Sequence, residues 1–288
     1  MWTFFFQTPR TQEEWRAEAT GFLNRWQYPL CIGALDGKHV EIVKPNKSGS
    51  LFYNYKLFFS IVLMVLANSN YEILYADIGS EGRLSDGGIW KKSDFFNKLE
   101  KEELGLPEDG MLQDTAVAHH IVADDAFALS KRLMKPYSKR GLTEGEEIFN
   151  YRLSRARRIV ENVFGILGNR FRVLQSSISG ACVDTNQVVL ACCVLHNLLR
   201  RECPRGYLSH QDVDTEDVNG DLQGGEWRKR VQLAPIAVNR STNYPQDAKA
   251  QRDIIQSYFL SPAGEVTWQY DRQRRLVARE IRRDKDKK

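Results

Sequence analysis

Three carboxylates carry the chemistry this sequence can offer. Asp36 stands inside CIGALDGKHVEIV (residues 31–43), where an apolar run meets an Asp-Gly break. Two such runs joined through Asp-Gly read as a β-hairpin. An acid at the end of a buried strand is carried to the rim of its sheet, where many enzymes keep their chemistry. Asp-Gly is equally an ordinary turn pair. Asp124 closes a second apolar strand, expected over residues 119–123. Glu161 lies one residue off the apolar stripe of the strongest helical pattern, residues 146–171, in which Phe149, Leu153, Ala156, Val160, Val163 and Leu167 recur at spacings of three and four. A carboxylate beside a buried face needs a neutralising partner, and an ion pair with Arg157 or Arg158 is the plainer reading of Glu161. If the two strand ends and the helix flank meet, the acids repel one another. Magnesium, a hard ion that prefers oxygen ligands, relieves that repulsion, and a pair of such ions suits phosphodiester cleavage. The chain has 37 Asp and Glu residues, so some trio of this kind is expected by chance.

Other constellations carry less. Cys192 and His196 are one helical turn apart and could seed a zinc site, but no second Cys pair accompanies them, and a buried thiol beside a hydrogen-bonded histidine accounts for both. His119 and His120 must face opposite sides of a strand, so they do not easily share one metal. No Ser or Cys sits in a recognisable nucleophile motif. Basic residues cluster: Arg152, Arg155, Arg157 and Arg158 cover the polar side of the Glu161 helix, and Lys131 and Arg132 follow Asp124. Such a surface suits DNA phosphates; a solvated face with intrahelical pairs is the equal alternative.

The elements that must position these residues follow from pattern. Thr11 with Glu13 and Glu14 marks a helix start, and Trp15, Ala19, Phe22 and Trp26 continue it at helical spacing. Residues 57–67 and 71–78 read as strands of an antiparallel meander. Residues 79–88, GSEGRLSDGG, form a glycine-rich loop that holds Asp77 at its mouth and Asp86 within it, without the Gly-Lys-Ser of a phosphate loop. Residues 85–99 and 184–201 read as helices. Four regions result: an N-terminal helix over 1–28, a catalytic-type domain over 29–202, a polar linker over 203–246 and a charged tail over 247–288.

The size suits one large domain or two small ones. A net charge of +4 permits an acidic partner without demanding one. Five scattered cysteines and the lack of a secretory pattern point to reduced thiols inside the cell. The longest apolar run, 57–67, is too short to span a bilayer.

Taken together, the motifs resemble the PIF/Harbinger transposases and the Harbinger transposase-derived nucleases, a DDE-type family. The matching stretches are CIGALDGKHVEI, FYNYKLFFSIVLMVLAN, DIGSEGRLSDGG, ADDAF, FNYRLSRARRIVENVFGILGNRFRVL and CCVLHNLLR, in that order between about Phe6 and Arg201. The resemblance implies an α/β fold with an RNase H-like core, a mixed five-stranded sheet flanked by helices. It implies a metal-dependent DNA endonuclease with Asp36, Asp124 and Glu161 as catalytic triad and as ligands of two divalent ions, Mg2+ or Mn2+. It further implies a nuclear location and a Myb/SANT-like DNA-binding partner protein. Three departures stand out. Ala123-Asp124-Asp125 replaces the family's Gly-Asp-Ser, so Asp125 competes with Asp124 for the metal role. About thirty residues precede Asp36, where full members carry a longer helical region. Gly168 stands where many relatives carry a basic residue. A catalytically silent relative that keeps the fold to bind DNA or protein is the alternative reading.

Overall fold

The computed structural model describes residues 6–138, 140–180, 182–217, 221–229, 233–236 and 244–270. In chain order the helices are α1 (Gln12–Trp26), α2 (Asp86–Lys92), α3 (Asp94–Glu100), α4 (Glu144–Arg170), α5 (Cys182–Glu202), α6 (Pro204–Tyr207) and α7 (Gln246–Phe259). The strands are β1 (Cys31–Glu41), β2 (Ser60–Ala67), β3 (Ile73–Glu81), β4 (Gly110–Leu112), β5 (Thr115–Val117), β6 (His120–Val122), β7 (Leu133–Met134), β8 (Thr215–Glu216), β9 (Leu222–Gln223) and β10 (Ala234–Pro235).

The main sheet runs β3-β2-β1-β6-β7, and β10 adds to β1, giving six strands where five were expected. It is mixed: β1, β2 and β3 are antiparallel, whereas β6 lies parallel to both β1 and β7. The expected hairpin at Asp36-Gly37 does not form. β1 passes straight through, with Asp36 opposite Val65 and Gly37 opposite Met64 in an unbroken ladder to β2. Eight successive register pairs outweigh a local turn preference, because alternate residues of β1 are buried on both faces.

Alternation along β1 sends Ala34 and Val40 into one core layer and Leu35 into the other, and a register shift between Cys31 and Gly33 places Ile32 with Leu35. The first layer is closed by α4, α5 and α7, and the whole stripe expected on α4 is buried there. The second is closed by α2 and α3 with Trp15 of α1. The single helix expected over 85–99 breaks at Ser93, whose hydroxyl accepts from Phe96 N–H and restarts the chain as α3. Thr11 and Glu14 close a reciprocal capping box on α1. Among the described residues no helix is long and apolar enough to cross a membrane.

The expected loose linker over 203–246 is, in its described residues, packed structure. Tyr207, Val213, Trp227 and Ile236 are buried. The Trp227 ring lies flat on α4 where Gly165 leaves room: a Cβ there would sit 2.2 Å from the ring. The indole N–H donates to Asn162 Oδ1 at 2.8 Å. Small hydrophobic anchors spaced widely in a polar segment give no periodic signal, which is why composition misreads it. Of the charged tail, residues 271–288 lie outside the described residues.

Candidate active site

On one edge β1 pairs with β6 as far as Ala34 and with β10 from Lys38 onward. Between them residues 35–37 have no strand partner on that edge among the described residues. The carboxyl end of β6 therefore stops beside Asp36, and Asp124 follows two residues after β6 ends. Ends of parallel strands next to such a gap are where α/β sheets present functional groups.

Asp36 is 2% exposed. Lys38, two residues on and hence on the same face, places its amine 2.5 Å from Asp36 Oδ2. Burial works against the charged amine, but Asp36 and, beyond it, Glu161 outweigh burial and hold Lys38 above its ordinary range. The same amine lies over the Phe164 ring of α4. Asp124 accepts a hydrogen bond from Ala126 N–H at 2.8 Å. Its carboxyl is pushed up, first by burial and then by the charge of Asp36. Its neighbour Asp125 points elsewhere, 2.8 Å from the amine of Lys135, which is fully buried. Of the two adjacent acids, Asp125 is paired with Lys135, whereas Asp124 faces Asp36.

Glu161 pairs with Arg157 at 2.6 Å, one turn back on α4, and with Arg228 at 3.5 Å. Burial opposes the Arg157 charge, but Glu161, Asp36 and Asp124 together raise its pKa. Arg157 and Lys38 thus stand among all three acids. Asp36 and Asp124 interact directly as like charges, whereas Glu161 is bound to the group through the two cations. Among the described residues no three His, Cys, Asp or Glu side chains are close enough to grip one ion as they stand.

A fourth acid, placed by the sequence only within the glycine-rich loop, joins them. Asp86, at the start of α2, comes from the opposite face of the sheet and is 2% exposed, with a buried Oδ1 that has no hydrogen-bond partner. Gly37 admits it, since a Cβ there would lie 2.4 Å from that oxygen. Burial first, then Asp36 and Asp124, push its carboxyl up to about 9. Only its place in a glycine-rich stretch hinted at it. The donor set of Asp36, Asp124, Glu161 and Asp86 is all hard oxygen and includes an unpartnered buried oxygen. That chemistry fits a hard divalent cation, although Asp36 and Glu161 are turned onto Lys38 and Arg157.

The expected DNA-contacting arginines of α4 are internal ties instead. Arg152 is 1% exposed. It donates to Gln269 Oε1, Gly264 O and Gln27 O, and stacks on Phe259 and Trp268. Arg155 and Arg158 both pair with Glu216, at 2.8 and 2.9 Å, and Arg157 holds Glu161. The segment after α5 covers this face of α4, so its charges are spent within the fold. Arg132 donates to His119 O, and Lys131 stands exposed, 3.9 Å from Asp247. The zinc reading also fails: His196 is buried between Tyr71 O and the Tyr207 hydroxyl, and burial lowers it to about 4.

A mixed sheet with helices on both faces brings Asp36 of β1 and Asp124, just past β6, to one gap in the sheet. Comparison with known proteins is specific. Residues 35–197 match the family model described as DDE superfamily endonuclease, and the chain belongs to that family, in the Harbinger transposase-derived group its motifs resemble. It is 26% identical over 177 residues to "Protein ALP1-like" of Arabidopsis thaliana, covering 59% of this chain and 43% of that one. It is 27% identical over 173 residues to "Putative nuclease HARBI1" of Rattus norvegicus, covering 59% and 46%. The Homo sapiens protein of the same name is 25% identical over 197 residues, covering 67% and 53%. The chain spans about half the length of these curated relatives. No solved structure matches it.

Proposed function

We propose that the protein is a metal-dependent endonuclease that hydrolyses DNA phosphodiester bonds on an RNase H-like core. The observation that carries this reading is the meeting of Asp36 with Asp124 where β1's pairing with β6 ends, with burial first and the charge of Asp36 second raising the Asp124 carboxyl. Asp36, Asp124 and Glu161 are the residues to hold two Mg2+ or Mn2+ ions. Bound there, such ions supply Lewis acidity and offset charge on the phosphate. The chain's own groups do the rest. Lys38 orients the Asp36 carboxylate through its contact with Oδ2. Arg157 sits among the three acids and holds Glu161 in place. Buried walls on both faces of β1 restrict water. DNA is the substrate class, with a nuclear location and a Myb/SANT-like partner as parts of the same proposal.

A second reading, a catalytically silent module that binds DNA or protein, draws support from the pairs Lys38–Asp36 and Arg157–Glu161, which already neutralise two of the three acids. Nicking of supercoiled DNA in Mg2+ or Mn2+ separates the two. The nuclease reading expects nicking by the wild type and its loss in Asp36→Ala and Glu161→Ala. Equal nicking in all three proteins refutes the triad. DNA binding without nicking in the wild type favours the silent module.

A further inference from the structure

With the α4 arginines consumed internally, the chain needs another surface for a nucleic-acid strand, and the β1–β2 connection has the right chemistry. No acidic residue occurs between Glu41 and Glu72, whereas Lys44, Lys47 and Lys56 all fall in this connection and all are exposed. Beside them stand Tyr53 and Tyr55, 39% and 52% exposed, and Leu57, 74% exposed. Exposed rings interleaved with lysines are the arrangement that stacks bases and tracks phosphates.

The loop is held rather than slack. The buried Asn54 accepts from Lys56 N–H and Phe58 N–H and donates to Ser60 Oγ, which in turn meets His39 Nδ1 at 2.9 Å. At its tip Leu57 adopts φ 67°, a left-handed conformation that a leucine rarely takes. An apolar side chain 74% exposed and held in that conformation costs stability. The loop also connects to the acids. The Tyr55 hydroxyl donates to Pro235 O at 2.9 Å, Pro235 is in register with Lys38, and Lys38 pairs with Asp36.

We infer that Tyr53, Tyr55 and Leu57 with Lys44, Lys47 and Lys56 form a platform that holds an unstacked DNA strand next to the acidic site. This inference rests on the nuclease reading for its ligand, but it is tested without cleavage. Binding of a short fluorescent single strand of mixed sequence is measured by anisotropy in chelator, over a salt series, alongside the melting temperature of each variant. Lys44→Ala/Lys47→Ala/Lys56→Ala is expected to weaken binding and reduce the salt slope by about 2. Tyr53→Ala/Tyr55→Ala is expected to weaken binding about tenfold or more, with the salt slope kept. Leu57→Gly is expected to melt a few degrees higher, about 2–4 °C, by relieving the backbone, yet to bind more weakly. Wild-type affinity in the tyrosine variant, or in Leu57→Gly, overturns the platform. The pattern of strand binding is independent of Asp36, Asp124 and Glu161, so failure of the nicking assay leaves this result standing, and the reverse holds as well.

Discussion

Replacing Asp86 with asparagine should make the protein more stable, and by an amount that depends on pH. The carboxyl is 2% exposed, its Oδ1 has no partner, and it is held at about 9 against an ordinary 3.8. The sign follows from proton binding. Below pH 4 the folded and unfolded chains both carry the proton, and burial of a neutral acid costs little. As pH rises the unfolded chain releases its proton while the folded chain keeps it, so the penalty grows up to about pH 9. From 3.8 to pH 7 is roughly three units at about 1.4 kcal/mol each, a penalty of about 4 kcal/mol. The asparagine amide brings its own unpaired donor, worth about 1 kcal/mol, so the net gain at pH 7 is about 3 kcal/mol. Urea unfolding of wild type and Asp86→Asn at pH 4, 5.5, 7 and 8 measures the difference directly. The reasoning fails if that difference is flat with pH or if the variant is less stable at pH 7. A glycine at position 37 is part of the same packing, and Gly37→Ala should cost about 1–3 kcal/mol by overpacking against Asp86 and Ile236.

Arg152→Ala should lose about 3 kcal/mol or more in denaturant unfolding, because it strands two buried acceptors and one half-buried one and empties the space between Phe259 and Trp268; a near-neutral change would restore its reading as a DNA contact. His39, His120 and His196 are each held near 4 by burial, below an ordinary 6.5. Their contribution is intact above pH 6.5 and is lost as pH falls to 4, up to about 3 kcal/mol apiece, so acid unfolding should begin near pH 6 and His196→Gln should blunt it.

The α4 stripe was legible in the sequence because six apolar side chains at helical spacing leave one solution, and β2 was legible as an unbroken apolar run after Ser60. Asp36 was found for a reason that proved wrong: no turn forms at Asp-Gly, and the acid reaches the site because β6 ends short beside it. Local turn chemistry is visible in sequence; the length of a neighbouring strand is not. The arginines of α4 were misread because helical spacing tells which residues leave the core stripe, not what later chain covers them. Glu216 and Trp268, distant in sequence, decide that. Asp86 was hidden for the same reason, since its place depends on a glycine in another strand.

The central claim is that Asp36 and Asp124 form part of a divalent-cation site in a nuclease. Melting curves with and without Mg2+ or Mn2+, for wild type and Asp36→Asn/Asp124→Asn, test it most directly. At a hundredfold excess over Kd the ion should stabilise the wild type by about 2.7 kcal/mol, and that increment should vanish in the double variant. An equal increment in both proteins would place any bound ion elsewhere and contradict the claim.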